Sequence, residues 1–390
     1  MQVKLGSDKF IFNFYVTPIR VLLMFFALVG LFIMLLRFVF GLQFVTNLDD
    51  SCPWGFWIAF DVMCGVALAG GGYGMALLVY VLHIDYLRPV VRGAMLTSLI
   101  GYLLVMVGLF LDIGRWFNFW CPIVSWGYES VLFEVFWCIS AYTIVQVLEF
   151  CEVVTERFFC GFHKYFVRMM PMLVIVGIAI PTMHQASLGE LYVLLEGRLH
   201  PLWWSPIIFL FFLLSSFFVG PAMIMIETAI AAFSFKHVVS IGVLQRLSRI
   251  GGVSMIIYLV LRFGDLFLRD KLGFVFEMSF ASAAFWVEVV VGLVLPLVII
   301  FSPLSKSRFW LVVYGVMASF GVFLNRLNVV ITGMSGDMGS NYYPSICEIL
   351  VSVGLVSIGL LAYFFVCENF KIVEDNTTTN KLTQPKQNHS

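Results

Sequence analysis

The chain has 390 residues, 61% hydrophobic and 12% charged, and its 23 basic and 23 acidic side chains cancel to zero net charge. A soluble chain cannot hide that much apolar surface, so the composition excludes a water-soluble domain and places the protein in a lipid bilayer. The zero charge selects no partner by itself. No nucleic acid is expected, and no G-x-x-x-x-G-K-[ST] loop is present to drive the protein with ATP.

A helix that spans hydrocarbon needs about 20 apolar residues. Ten runs qualify, at roughly 19–41, 55–82, 90–112, 129–154, 166–189, 204–232, 245–268, 277–301, 309–330 and 346–367. They are continuous and not alternating, which predicts helices and not barrel strands. The expected fold is an all-α integral membrane protein of about ten transmembrane helices. The first run is too long for a signal-peptide core and lacks a small-residue cleavage site, so it should persist as a helix.

The second run, "CPWGFWIAFDVMCGVALAGGGYGMALLVYVL", holds Asp61 inward of Trp54 and Trp57, then Gly70, Gly71, Gly72 and Gly74. The third ends in "FLDIGRW", with Asp112 and Arg115. The fourth carries Glu134 in "SVLFEVFW" and Glu149 in "IVQVLEF". In the fifth, Pro181 stands one turn before His184. Glu227 lies in the sixth, Arg262 and Asp265 in the seventh ("LRFGDLF"), and Glu288 in the eighth ("FWVEVVVG"). The final "KIVEDNTTTNKLTQPKQNHS" (368–390 with its flank) is polar and expected to be disordered.

Intramembrane ionisable groups cost several kcal/mol unless paired or hydrated, so they mark candidate function. At 1.5 Å per residue, Asp61 is expected ~9 Å, Glu134 ~8 Å and His184 ~8 Å from the same end of the bundle, with Asp112 and Arg115 closing that end. Four helices thus place polar groups at one level. The plain alternative is structural pairing, expected for Asp112 with Arg115 and for Arg262 with Asp265. For the glycine run the plain reading is close helix packing. The intervals Asp112–Glu134 and Asp265–Glu288 are similar, which suggests two four-helix bundles, 19–154 and 155–301, plus two additional helices, 302–367.

Fourteen Lys and Arg residues fall on the side of the termini and four on the other. The positive-inside rule then puts both termini, including residues 1–18, in the cytoplasm. The eight cysteines are scattered without a C-x-x-C, so neither an iron–sulfur cluster nor a disulfide framework is expected, although Cys52 and Cys121 share a side. A membrane b-haem needs two facing histidines, and only His184 lies clearly inside a run.

The stretches "CPWGFWIAFDVMCGVALAGGGYGMA", "RPVVRGAMLTSLIGYLL", "DIGRWFN", "SVLFE", "IPTMHQASLGELY", "HPLW", "VLRFGDLFLRDKL", "FWVEV" and "YYPSICEILVSVGLVSIG" resemble, in order and spacing, the NrfD / polysulphide-reductase membrane-subunit family, and within it the Ni/Fe-hydrogenase 2 type of membrane subunit labelled a b-type cytochrome. Gly93 departs from a usual Pro and Ala186 from a frequent Ser. The resemblance implies a bacterial inner-membrane protein that has no haem despite that label. It implies a periplasmic iron–sulfur electron-transfer subunit and [NiFe] hydrogenase large and small subunits as partners, and menaquinone or ubiquinone as substrate. The quinone site it implies lies in the first bundle, with the family's positions falling on Trp54, Trp57, Asp61, Glu134 and His184. Asp61, Glu134 and His184 are candidate proton donors to the quinone oxygens. Glu149, Glu227, Glu288, Asp112, Arg115, Arg262 and Asp265 are candidates for a proton path. The alternatives are the equivalent subunit of a polysulphide, nitrite or cytochrome-linked complex, and a secondary transporter, since buried carboxylates and repeats also mark transporters.

Overall fold

The computed structural model describes residues 2–5, 12–49, 54–127, 129–236, 238–335, 342–370 and 372. Cys52 and the tail beyond residue 372 lie outside them, and with them the Cys52–Cys121 pairing and the expected disorder. Among the described residues ten helices are long and apolar enough to cross a membrane: α1 (Pro18–Phe40), α2 (Ile58–Val81), α3 (Asp85–Asp112), α4 (Val131–Phe158), α5 (Gly161–Val193), α6 (Ile208–Phe235), α7 (Ile241–Leu268), α8 (Phe280–Phe301), α9 (Arg308–Ser335) and α10 (Ile346–Asn369). Ahead of them, β1 (Gln2–Leu5) and β2 (Phe12–Tyr15) pair antiparallel, a hairpin the sequence reading does not anticipate. The ends of the bundle are called here the terminal face, which carries the start of α1 and the end of α10, and the far face opposite.

Local chemistry sets the helix ends. Thr17 caps α1 with Pro18 in the first turn, where a missing N–H costs nothing. Ser345 and Glu348 form a capping box at the start of α10. Leu22, Phe25, Leu28, Phe32, Leu35 and Val39 of α1 are all more than half exposed, the surface of a helix that faces lipid.

α2 to α5 pack together, α6 to α9 pack together, the two sets meet where α2 and α5 lie against α6, and α1 pairs with α10 across the whole sequence. The reason is backbone proximity. In lipid there is no hydrophobic drive between helices, so small residues that allow close approach decide which helices meet. A Cβ on Gly30 of α1 would stand 2.8 Å from the Gly354 Cα of α10. A buried ion pair, Arg20 to Glu368, and the Arg37 side chain bonded to the carbonyls of Leu111 and Ile113 complete the docking of α1. The glycine run of α2 serves the same purpose. A Cβ on Gly71 would meet the backbone of Gly220 in α6 at 3.3–3.7 Å, and one on Gly72 would collide with Ser98 of α3 at 2.4 Å.

Four π-helical turns interrupt the spans, at Ile58–Cys64, Leu77–Val81, Val290–Val294 and Asn328–Thr332. Three contain or adjoin buried polar groups: Asp61, Glu288, and Arg326 with Asn328. Such turns re-aim side chains and often occur at functional positions.

Candidate functional site

The five residues expected to share one site fall on two sides of α2. Trp57 and Asp61 face α10: the Trp57 indole donates to the Glu348 carbonyl at 3.1 Å, and the Ser352 hydroxyl donates to Asp61 Oδ2 at 2.5 Å. Gly108 of α3 lets Asp61 lie flat, since a Cβ there would stand 2.8 Å from the Asp61 Cβ. Trp54 faces the other way. Its ring lies 5.3 Å from that of Tyr192 in α5, and Tyr192 in turn stacks on Phe212 of α6. Glu134 joins this second side by accepting from the Ser187 hydroxyl of α5 at 2.5 Å.

His184 is fully buried and sits deeper than expected. Helix α5 continues past Gly189 to Val193, because Gly189 packs against the backbone of α6, where a Cβ would stand 2.4 Å from the Phe209 Cα. His184 is therefore nine residues, or about 14 Å, from that helix end. Its neighbour Gln185 donates to the Val66 carbonyl at 3.0 Å. Val66 lies five residues, about 8 Å, beyond Asp61 along α2. The common level thus holds for Asp61 and Glu134 but not for His184.

Both expected local ion pairs are replaced. Asp265 pairs with Arg269, Nη2 to Oδ2 at 2.6 Å, and accepts from Ser205 at 3.0 Å. Arg262 instead donates to the Leu202 carbonyl at 2.7 Å and lies over the Phe211 ring. Asp265 meets Arg269 at the i,i+4 spacing, while Arg262 is drawn to the carbonyl of the α5–α6 connection. Arg115 is exposed and, among the described residues, makes no ion pair with Asp112. Asp112 instead interacts electrostatically with Arg37 of α1 and Glu348 of α10.

A second polar centre lies in the α6–α9 group. Glu288 accepts from Trp203 at 3.0 Å, Asn325 at 2.7 Å and Asn328 at 2.9 Å. Arg326 donates to Asn325 and to Ser215, each at 2.6 Å, and its guanidinium lies 3.6 Å from the centre of the Phe212 ring. Arg326, Asn325, Asn328, Arg37 and Glu348 are not among the sequence candidates. Arg37 and Arg326 lie within apolar runs, and an arginine in an apolar run is a signal available without coordinates.

Two cavities touch the candidate acids. A crevice of about 220 Å³, almost wholly apolar, runs between α2, α3, α6 and α10 with Asp61 at one end and Glu227 at the other. Glu227 is held there by Thr97 at 3.1 Å and Tyr363 at 3.5 Å. A more polar cavity of about 190 Å³ lies toward the terminal face, lined by Arg92, Glu152, Glu149, Gln146 and Tyr80.

Among the described residues no group of three or more His, Cys, Asp or Glu is placed to hold a metal ion. Among the described histidines His184 is buried, whereas His83 is exposed and His163 and His200 are half-buried at helix ends or in a connection.

The chain is 35% identical over 337 residues to the probable Ni/Fe-hydrogenase 2 b-type cytochrome subunit of Escherichia coli (strain K12), covering 84% of this chain and 85% of the relative. It is 28% identical over 352 residues, 81% of this chain and 82% of the relative, to the menaquinone reductase integral membrane subunit of Nitratidesulfovibrio vulgaris. The model of the polysulphide reductase NrfD family matches residues 44–335, from the connection before α2 to the end of α9. With ten spanning helices, a polar level near the far face and that match over most of its length, this chain belongs to the NrfD polysulphide reductase family.

Proposed function

We propose that this chain is the quinone-reactive membrane subunit of a respiratory oxidoreductase. It takes two electrons from an iron–sulfur partner docked on the far face and passes them, with two protons, to menaquinone or ubiquinone, giving the quinol. The observation that carries this reading is the Glu134–Ser187 pair on α4 and α5, with the Trp54–Tyr192 rings further along α5. A carboxyl with a hydroxyl in hydrogen-bond contact is placed to hand protons to a quinone oxygen. The aromatic pair offers a flat apolar wall for a ring to lie against. A relative that is the membrane subunit of a menaquinone reductase supports the substrate. The Ni/Fe-hydrogenase 2 relative supports a [NiFe] hydrogenase, with its large and small subunits, as the source of electrons. The family's description equally admits a polysulphide reductase in that place.

The split of the five candidates supports a headgroup site on the α4–α5 side of α2: Trp54, Glu134 and, one turn deeper, His184. Trp57 and Asp61 then act as the seam between α2 and α10. The excess of basic residues on the terminal face supports an inner-membrane orientation with both termini in the cytoplasm and the partners in the periplasm.

The test is quinone reduction by the intact complex in membranes, with Glu134→Gln against wild type. Glutamine keeps the size and the hydrogen bond to Ser187 but carries no titrating proton. Loss of turnover with normal insertion is expected. Full turnover in Glu134→Gln and in His184→Ala together would place the headgroup elsewhere.

A further inference from the structure

A series of side chains starts in the α6–α9 group and ends at the proposed headgroup site. Arg326 of α9 lies with its guanidinium 3.6 Å from the centre of the Phe212 ring in α6. Phe212 stacks on Tyr192 of α5, with ring centres 6.0 Å apart and planes at 30°. Tyr192 meets Trp54, in the connection before α2, at 5.3 Å. Tyr192, Phe212 and Arg326 are each 1% exposed, whereas Trp54 is half-buried. The series therefore has a closed end, at the cation, and an end that a ligand can reach.

The closed end is held by close packing and by polar contacts. α9 approaches α6 because Gly315 has no side chain; a Cβ there would stand 2.6 Å from the Ala222 carbonyl oxygen. Arg326 grips one face of α6. Phe212 and Ser215 are spaced i,i+3, and the guanidinium covers the first while Nη2 donates to the second at 2.6 Å. Nη1 donates to Asn325 at 2.6 Å, and the Asn325 amide donates to Glu288 at 2.7 Å. Nε has no hydrogen-bond partner. An unmatched donor keeps its desolvation cost, so a buried cation would ordinarily use them all. Here the ring stands in place of a partner, a contact that is strongest away from water. The bonds to Ser215 and Asn325 are enough to tie α9 to α6. Laying the guanidinium flat on Phe212 fixes a ring as well. The next ring is held from two sides, since Tyr192 stacks on Phe212 and its hydroxyl donates to Met63 Sδ of α2 at 3.1 Å.

We propose that Arg326 is a positioning residue for the quinone headgroup. From the other helix group it fixes the plane of Phe212, Phe212 fixes Tyr192, and the Tyr192–Trp54 pair is thereby kept as a preformed wall. The headgroup part rests on the quinone reading above; the mechanical link from Arg326 to Trp54 does not. A preformed wall spares a flat ligand the cost of ordering side chains when it binds. Loosening the wall should weaken binding and leave the chemical step alone, so the effect belongs in KM and not in kcat.

Two variants test this. Arg326→Lys keeps the charge and can still donate to Ser215 and Asn325, but offers no flat face to a ring. Phe212→Leu keeps apolar bulk and removes the ring. Quinone reduction by the intact complex in membranes is followed against the concentration of a short-tailed naphthoquinone. Both variants should raise KM on the order of tenfold, with kcat near wild type. An unchanged KM in either would overturn the proposal, and in Arg326→Lys it would reduce the arginine to a tie between α9 and α6. A second readout needs no quinone. Two rings separate Arg326 from Trp54, so the losses of stability in Arg326→Lys and Trp54→Leu should add unless the stack links them. A non-additive cycle in thermal unfolding is expected, becoming additive in the Phe212→Leu background. Additive losses throughout, or a coupling that survives Phe212→Leu, would overturn the link. If the wild-type complex reduces no naphthoquinone, the quinone reading falls, and the cycle still decides the link.

Discussion

The Ser352 hydroxyl donates to Asp61 Oδ2 at 2.5 Å, which makes the acid of α2 a contact to α10 and not a member of the Glu134 side. Asparagine at 61 keeps an oxygen to accept that bond. Asp61→Asn should therefore leave α10 docked and quinone turnover near wild type, while Asp61→Leu strands the Ser352 hydroxyl at a cost of about 1–3 kcal/mol. Thermal unfolding in mild detergent, read beside turnover, separates the two. Turnover lost in Asp61→Asn but kept in Glu134→Gln would move the headgroup into the apolar crevice.

Ser187 offers a finer test of the proposed site. It holds Glu134 in one orientation, so Ser187→Ala should lower turnover less than Glu134→Gln does. A positioned proton donor contributes about 10²–10⁴-fold, which bounds the larger effect. The turnover number should fall in both variants, with less change in the quinone concentration for half-maximal rate. The reverse pattern would make the pair a binding contact only.

Much of this architecture is legible in the residues, for a definite reason. Bilayer thickness dictates the length of apolar runs, so all ten spans appear in hydropathy, and α3, α7, α8 and α10 end within a few residues of where their runs do. Partner choice leaves no such trace. Gly30 with Gly354 and Gly71 with Gly220 are contacts between distant parts of the chain, invisible to a reading of local spacing. The acids are equally conspicuous, but which side of α2 each faces depends on the π-helical turn at Ile58–Cys64. The depth of His184 depended on whether Gly189 ended α5, and tertiary packing against Phe209 kept it helical.

Assembly gives a third test. The proposed function draws its electrons from an iron–sulfur partner docked at the far face. Purification in mild detergent should bring down an iron–sulfur protein with this chain. A stable b-haem absorption spectrum from the isolated chain would overturn the expectation of a chain without haem.

The Glu288 centre yields the sharpest structural prediction. Its carboxylate accepts from three donors, Trp203, Asn325 and Asn328. Glu288→Gln replaces one acceptor oxygen by a donating amide. Placed toward Asn325, that amide meets a side chain whose own oxygen is already taken by Arg326. Placed at the other oxygen it meets the Trp203 indole, which can only donate. Every arrangement leaves one buried donor unmatched, so Glu288→Gln should destabilise the protein by about 1–3 kcal/mol. Trp203→Phe removes the donor that cannot adapt, and Asn328 can turn its amide because Thr332 accepts as well as donates. The double variant should therefore recover part of the stability lost in Glu288→Gln, a coupling measurable as a double-mutant cycle from thermal unfolding. The charge movement of vesicles should follow the amount of folded protein and nothing more. A Glu288→Gln protein as stable as wild type that no longer builds a membrane potential would instead make Glu288 a carrier of protons.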